Sequence, residues 1–209
     1  MSLTRLILAR HGETTGQSSV RYFGATDVPL SDVGRAQIRL LASRLVSERP
    51  SEVVTSRLGR AVEAGEIVAS ACGAPLRSDP AWNEVDFGAW EGLTREEIVA
   101  RDPHLYARWI GRDPDFAYPG GGTVSREFRV RVASAVESLL AEAAGRTVVV
   151  VSHAGVVRAA IGHLFGFPPP ERPSIAVDLA SIHVVEAMPG GERRLVVEND
   201  ASHARHLLG

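Results

Sequence analysis

The chain has a single cysteine, no apolar run of membrane-spanning length, no excess of either charge and no internal repeat or low-complexity tract. Cys72 has no second cysteine to pair with. In its Ala-rich helical stretch it reads as a small buried hydrophobe instead of a reactive thiol, and a reducing, cytoplasmic location is expected. A membrane-spanning helix needs about 20 mostly apolar residues, and no segment supplies them. The opening Met1-Ser2-Leu3-Thr4-Arg5 runs straight into a short strand, without the apolar core and cleavage site of a signal peptide. Lys+Arg 23 against Asp+Glu 25 gives a net charge of -2. That balance supplies no field for gathering nucleic acid or an anionic membrane, so neither is expected as a partner and any anion must meet a local cluster of charge. With 209 residues, 44% hydrophobic, and no evident linker, one domain is expected over 1–209.

What is present alternates between short apolar runs and helical periods. Leu6-Ile7-Leu8-Ala9 reads as a buried strand. Ser31 offers a helix cap, Ala36, Leu40, Leu41 and Leu45 recur at helical spacing, and Arg49-Pro50 stops the pattern. Val53-Val54-Thr55 makes a second strand, and a helix over roughly 58–71 ends at Gly73. From about 80 to 122 the chain turns irregular and aromatic, with short helices near 95–100 and 103–110, and a lid-like insertion is expected there. Helical periodicity returns over 123–143, followed by the strand Val148-Val149-Val150-Val151 and a helix through Phe165. Phe167-Pro168-Pro169-Pro170 marks a rigid loop. Alternation over 175–186 and 194–198, with a Pro-Gly-Gly turn between, predicts later strands, antiparallel ones among them.

Chemistry concentrates just past two of these strands. Arg10-His11-Gly12-Glu13-Thr14 follows the first, and Ser152-His153-Ala154-Gly155 follows the valine run. Strands of one parallel sheet deliver such residues to the same carboxyl edge, where open α/β sheets bind ligands. An arginine provides a fixed cation and a planar donor fork, and the imidazole beside it is a nucleophile at neutral pH, so the pair suits a phosphoryl group. A nucleophilic imidazole must be neutral with one nitrogen free. Its other N–H then needs an acceptor, most simply a backbone carbonyl, and Gly12 leaves room for that approach.

The order of motifs resembles the histidine phosphatase superfamily, the phosphoglycerate mutase-like proteins. The resemblance rests on Arg10-His11-Gly12-Glu13-Thr14; on Asp27-Val28-Pro29-Leu30-Ser31 with Gly34; on Thr55-Ser56-Arg57-Leu58-Gly59-Arg60-Ala61; on the segment from Asn83 to Gly92; on Val151-Ser152-His153-Ala154-Gly155; and on Asn199-Asp200-Ala201-Ser202-His203. It implies a three-layer α/β/α sandwich with a mainly parallel sheet. By that resemblance His11 attacks phosphorus and becomes a phosphohistidine, while Arg10, Arg60 and His153 bind the phosphoryl oxygens. Arg57, one turn before Arg60, is then a flanking charge. Glu84 takes the place of the general acid, and Glu13, Asp86 and Glu91 are rival carboxylates outside the matching position. Ala154 at the start of the last helix joins the expected phosphate-binding set. Neither a metal nor another cofactor is implied.

Departures from the family pattern cluster around this core. Gln17 stands where an asparagine is frequent and is expected to reach a phosphate oxygen. Phe23 replaces a frequent glutamine before Gly24, and both are expected at the substrate rim. Gly122-Thr123 replaces Glu-Ser after Pro-Gly-Gly, removing a carboxylate. The surroundings are therefore more apolar, which points to a leaving group with an apolar part. The Gly120-Gly121-Gly122 run lacks the Lys-Ser/Thr of a nucleotide loop and reads as a hinge. His203 and His206 have metal-ligand spacing without a third ligand nearby, which favours packing, and His104, His163 and His183 show no evident partner. The reading is a phosphatase acting on a small-molecule phosphate monoester, with α-ribazole phosphate, phosphoglycerates and phosphosugars as candidate substrates. Phosphoglycerate mutase and a non-catalytic phosphate-binding module are the alternatives. A homodimer stays open.

Overall fold

A computed structural model describes residues 3–168 and 175–207. Met1-Ser2 of the chain start and Pro169-Pro170 of the proline loop therefore lie outside the described residues. Six strands form one sheet in the order β3-β2-β4-β1-β5-β6, with β1 Thr4–Arg10, β2 Glu52–Thr55, β3 Leu76–Ser78, β4 Thr147–Ser152, β5 Ile182–Ala187 and β6 Arg193–Asp200. The pairs β3/β2, β2/β4 and β4/β1 are parallel, while β5 is antiparallel to both β1 and β6. The central strands are the valine- and leucine-rich ones because both of their faces are covered. Leu6, Leu8, Val148 and Val150 enter one core, and Ile7, Ala9, Val149 and Val151 the other. Each such fully buried side chain contributes about 1.5–3 kcal/mol.

Helices α1 (Asp32–Leu45) and α2 (Gly59–Cys72) pack on the second core; α5 (Ser125–Glu142) and α6 (Ala154–Phe165) pack on the first. This gives the three layers. The α1 start is capped by Ser31, whose Oγ accepts from Gly34 N, and α2 stops at left-handed Gly73. The aromatic segment carries α3 (Arg95–Arg101) and α4 (Pro103–Ile110). Trp82, Trp90 and Phe116 are fully buried in the first core, so this segment builds core as well as covering the sheet edge.

Three expectations need correction. The strand β3 is absent from the sequence reading, because three residues with one apolar side chain carry no period. The run 175–186 is not one strand: β5 begins only at Ile182, because the preceding residues are drawn onto the site, where Ser181 O accepts from Arg10 N and Ala180 N donates to His11 O. Cys72 is half-buried at the rim of the second core, and burial raises its thiol pKa. No helix among the described residues is long and apolar enough to cross a membrane.

Candidate active site

Strands β1 and β4 lie side by side in parallel register, with Arg10 opposite Ser152, so the next residue of each is delivered to one point. His11 N donates to Ser152 O at 2.9 Å, and the two imidazoles meet edge to face with centroids 5.2 Å apart. Both rings are buried, at 4% and 1% exposure. His11 Nδ1 lies 2.7 Å from the Gly12 carbonyl, and that contact makes it the N–H donor and leaves Nε2 as the free lone pair. Gly12 sits where β1 exits past the start of α1. A Cβ there would stand 2.4 Å from Gly34 O, so only glycine permits the crossing. Burial first, then Arg60 and Arg10, push the His11 pKa well below its ordinary value, which keeps the ring neutral.

His153 is oriented from the other side. Ser56 Oγ accepts from Leu58 N at 3.2 Å, so its hydroxyl hydrogen is free to donate to His153 Nε2 at 2.7 Å. The ring proton then sits on Nδ1, which is buried without a partner among the described residues. Arg10 and Arg60 share this condition. Arg10 spends its terminal nitrogens on Val177 O and Ser18 O; Arg60 spends its own on the carbonyls of Phe23, Gly24 and Thr26, with Asp27 at 3.6 Å. Both are left with a buried, unpaired Nε–H. A buried donor without an acceptor costs about 1–3 kcal/mol, and three of them around one neutral imidazole make a cradle that an anion completes. Burial, and next Arg158, lower Arg10 to about 10, so it remains a cation at neutral pH.

Glu84 is buried against the same point. Its oxygens accept from Gly155 N at 2.8 Å and from Val85 N at 3.0 Å, and burial raises its pKa against the opposing pull of these bonds, Arg60 and Arg158. Gly155 is part of the seat, since a Cβ there would lie 2.3 Å from Glu84 Oε1. The loop bearing Glu84 is pinned by Arg131, whose Nη1 donates to Ala81 O and Asn83 O, and by Ser152 Oγ, which donates to Trp82 O. Sequence reasoning gave no role to Ser56, Arg131, Gly155 or Arg158. For Ser56, Gly155 and Arg158 the one signal in the chain is a position inside or near the quoted motifs; Arg131, in the middle of α5, has none.

A cavity of about 740 Å³ opens from these groups and is lined by Arg10, His11, Glu84 and Ala154 of the expected set, with Phe23 at its wall. Gln17 is not there. It occupies a left-handed turn, φ 63°, exposed, and the turn sends Ser18 and Ser19 to the cavity wall in its place. Gly24 also departs from its expected rim position. It is buried behind the wall, where its carbonyl seats Arg60 and its N–H donates to Glu91. Glu91 is a clasp: it accepts from the backbone N–H groups of Gly24, Ala25, Thr26 and Phe87. The other rival carboxylates likewise serve loops, Glu13 accepting from Thr14 and Ser19 and Asp86 from Gly88. Arg57 is exposed. His163 does have a partner, Glu137 at 2.7 Å, and His203 donates to Ala180 O. His183 is a buried residue of β5 and accepts from Asn199 N at 3.4 Å.

Residues 6–201 match the family model of the histidine phosphatase superfamily, branch 1. The bifunctional protein Rv2228c of Mycobacterium tuberculosis (strain ATCC 25618 / H37Rv) is 32% identical over 96% of this chain, but the chain spans only 55% of its length. The metal-independent phosphoserine phosphatase of Arabidopsis thaliana is 33% identical over 75% of this chain and 67% of its own. Among solved structures, mycobacterial glucosyl-3-phosphoglycerate phosphatase Rv2419c, in complex with VO3, superposes with a TM-score of 0.81 at 28% identity, covering 93% of this chain and 98% of that one. With its motifs, its fold and these relatives in agreement, the chain belongs to the histidine phosphatase superfamily, branch 1.

Proposed function

We propose that the protein hydrolyses small-molecule phosphate monoesters through a phosphohistidine on His11. The observation that carries this reading is the pairing of one neutral imidazole, whose Nδ1 is tied to the Gly12 carbonyl, with three buried donors that lack acceptors: Arg10 Nε, Arg60 Nε and His153 Nδ1. The donors bind the phosphoryl oxygens, and His11 Nε2 attacks phosphorus in line. As the bond to the ester oxygen breaks, charge gathers on the equatorial oxygens and on the leaving oxygen. Charge-assisted bonds of about 1.5–3 kcal/mol each, tightening at that point, lower the barrier. Glu84, whose carboxyl pKa burial raises, gives its proton to the leaving oxygen from its protonated form and becomes a carboxylate. The carboxylate then takes a proton from water, whose oxygen attacks the phosphohistidine, and His11, protonated Glu84 and inorganic phosphate are regenerated.

The test is turnover of p-nitrophenyl phosphate by the wild type and by His11→Ala, followed as phosphate release. The expected result is loss of about 10⁴-fold or more in kcat for the variant, as for removal of a covalent nucleophile. Equal rates would remove His11 from the reaction. Incubation with 3-phosphoglycerate and a bisphosphoglycerate primer tests the mutase alternative; 2-phosphoglycerate forming without matching phosphate release would replace the hydrolase reading.

A further inference from the structure

Beyond the phosphoryl cradle the cavity is built for more than an apolar leaving group. Helices α5 and α6 both present their first turn to it, through Ser125 and Ala154, and each places an arginine four residues later on the same face: Arg129 and Arg158. Four residues advance about 6 Å along a helix, so the two arginines sit roughly one turn into their helices. Arg158 uses only its Nε, donating to Ile175 O at 2.9 Å, and no carboxylate pairs with Arg158 or Arg129 among the described residues. Arg129 lies over the Phe167 ring at 5.0 Å. Arg158 and Glu84 line the same cavity, and Glu84 is the charged group that acts on Arg158 most strongly. Arg158 is also the charged group that most depresses Arg10.

Six guanidiniums and two carboxylates, Glu84 and Glu96, line the cavity of a chain whose net charge is -2. The same cavity has an aromatic wall. Phe87 meets Tyr22 and Tyr118 edge to face at 5.3 and 5.2 Å, and Tyr22 meets Trp109 at 5.4 Å. We propose that the leaving group carries a second anionic group, a carboxylate or a further phosphate, on a flat or apolar spacer, and that Arg158, assisted by Arg129, binds that second anion. This rests on the phosphomonoesterase reading and deepens it. Arg158 is then a specificity determinant that acts on a part of the substrate other than the transferred phosphoryl group.

The experiment compares two para-substituted phenyl phosphates of matched size and leaving-group acidity, one bearing a carboxymethyl group and the other its neutral carbamoylmethyl counterpart. Wild type is expected to favour the carboxylate by about tenfold or more in kcat/KM, mainly through KM, the change that one charge-assisted hydrogen bond supplies. In Arg158→Gln that ratio falls toward one. Arg158→Lys, which keeps the charge and loses the fork, retains a preference between the two, and Arg129→Gln shows a partial loss. Turnover of both esters by wild type with a ratio near one, or a preference that survives unchanged in Arg158→Gln, overturns the second-anion site and leaves the phosphatase reading standing. Turnover of neither ester overturns both.

Discussion

The chemistry of the site depends on which nitrogen of each imidazole carries the proton, and one backbone and one side-chain contact decide it. The Gly12 carbonyl fixes His11 as the Nδ1–H tautomer, and Ser56 Oγ does the opposite job for His153 by occupying Nε2. Ser56→Ala frees His153 to flip or take the other tautomer, and kcat with p-nitrophenyl phosphate is expected to fall about tenfold or more, as for other lost supporting partners of a functional histidine; an unchanged kcat would contradict the orienting role. Glu84→Gln separates acid catalysis from binding. For alkyl phosphates, whose leaving oxygen needs a proton, kcat is expected to drop by about 10²–10⁴-fold, while the loss with p-nitrophenyl phosphate is much smaller in the first step. The pH profile carries the sign. The proposed reaction needs neutral His11 and protonated Glu84, so activity is expected to fall on the acid side as the histidine protonates. On the basic side it falls as Glu84 ionises, above the ordinary carboxyl range because burial raises it. Profiles of kcat/KM for wild type and Glu84→Gln check this, and the variant should lose the basic limb.

At the scale of elements, the site is where β1 and β4 end, and the surrounding loops are held there by specific side chains. Glu91 gathers the N–H groups of the 24–26 loop so that the loop's carbonyls face Arg60. Glu91→Ala is therefore expected to weaken inhibition by inorganic phosphate about tenfold or more, although Glu91 does not line the cavity. Unchanged inhibition would show that Arg60 holds its position without the clasp. The strong elements were readable from the chain because their periods are unambiguous: Val148 to Val151 is buried on both faces, and α1 announces itself with Ser31 and ends near the break at Arg49-Pro50. The Arg158 role was not readable, because an unpaired arginine on a helix looks the same in sequence whether it faces water or a cavity. Gln17 misled for a related reason. Its spacing after Glu13-Thr14 says nothing of the left-handed turn that carries its side chain away.

For the molecule as a whole, the cost of keeping two neutral histidines inside a cluster of arginines is paid in pH-dependent stability. His11 and His153 both have folded pKa values well below 6.5, so on the acid side of 6.5 the unfolded chain binds protons that the fold refuses. Stability is expected to decline as pH falls below about 6.5, by about 1.4 kcal/mol per pH unit for each of the two. Glu84 acts with the opposite sign. Its raised pKa stabilises the fold below the ordinary carboxyl value, and that contribution fades as pH rises through the folded value, so it flattens the acid decline without reversing it. Urea midpoints at neutral pH and at mildly acid pH measure the sum, and a midpoint that does not fall would mean the rings are not held neutral. The chain has no lysine, so every side-chain cation in the site other than protonated imidazole is a guanidinium that stays charged across this range.

The proposed hydrolysis depends on His11 Nε2 forming the bond to phosphorus. Rapid mixing with p-nitrophenyl phosphate, quenching in base and peptide mass spectrometry tests that bond directly. The predicted result is one phosphoryl group on the peptide containing His11, stable in base, lost in acid and absent from His11→Ala. A phosphoryl group on any other residue, or substrate turnover by His11→Ala at the wild-type rate, would contradict it.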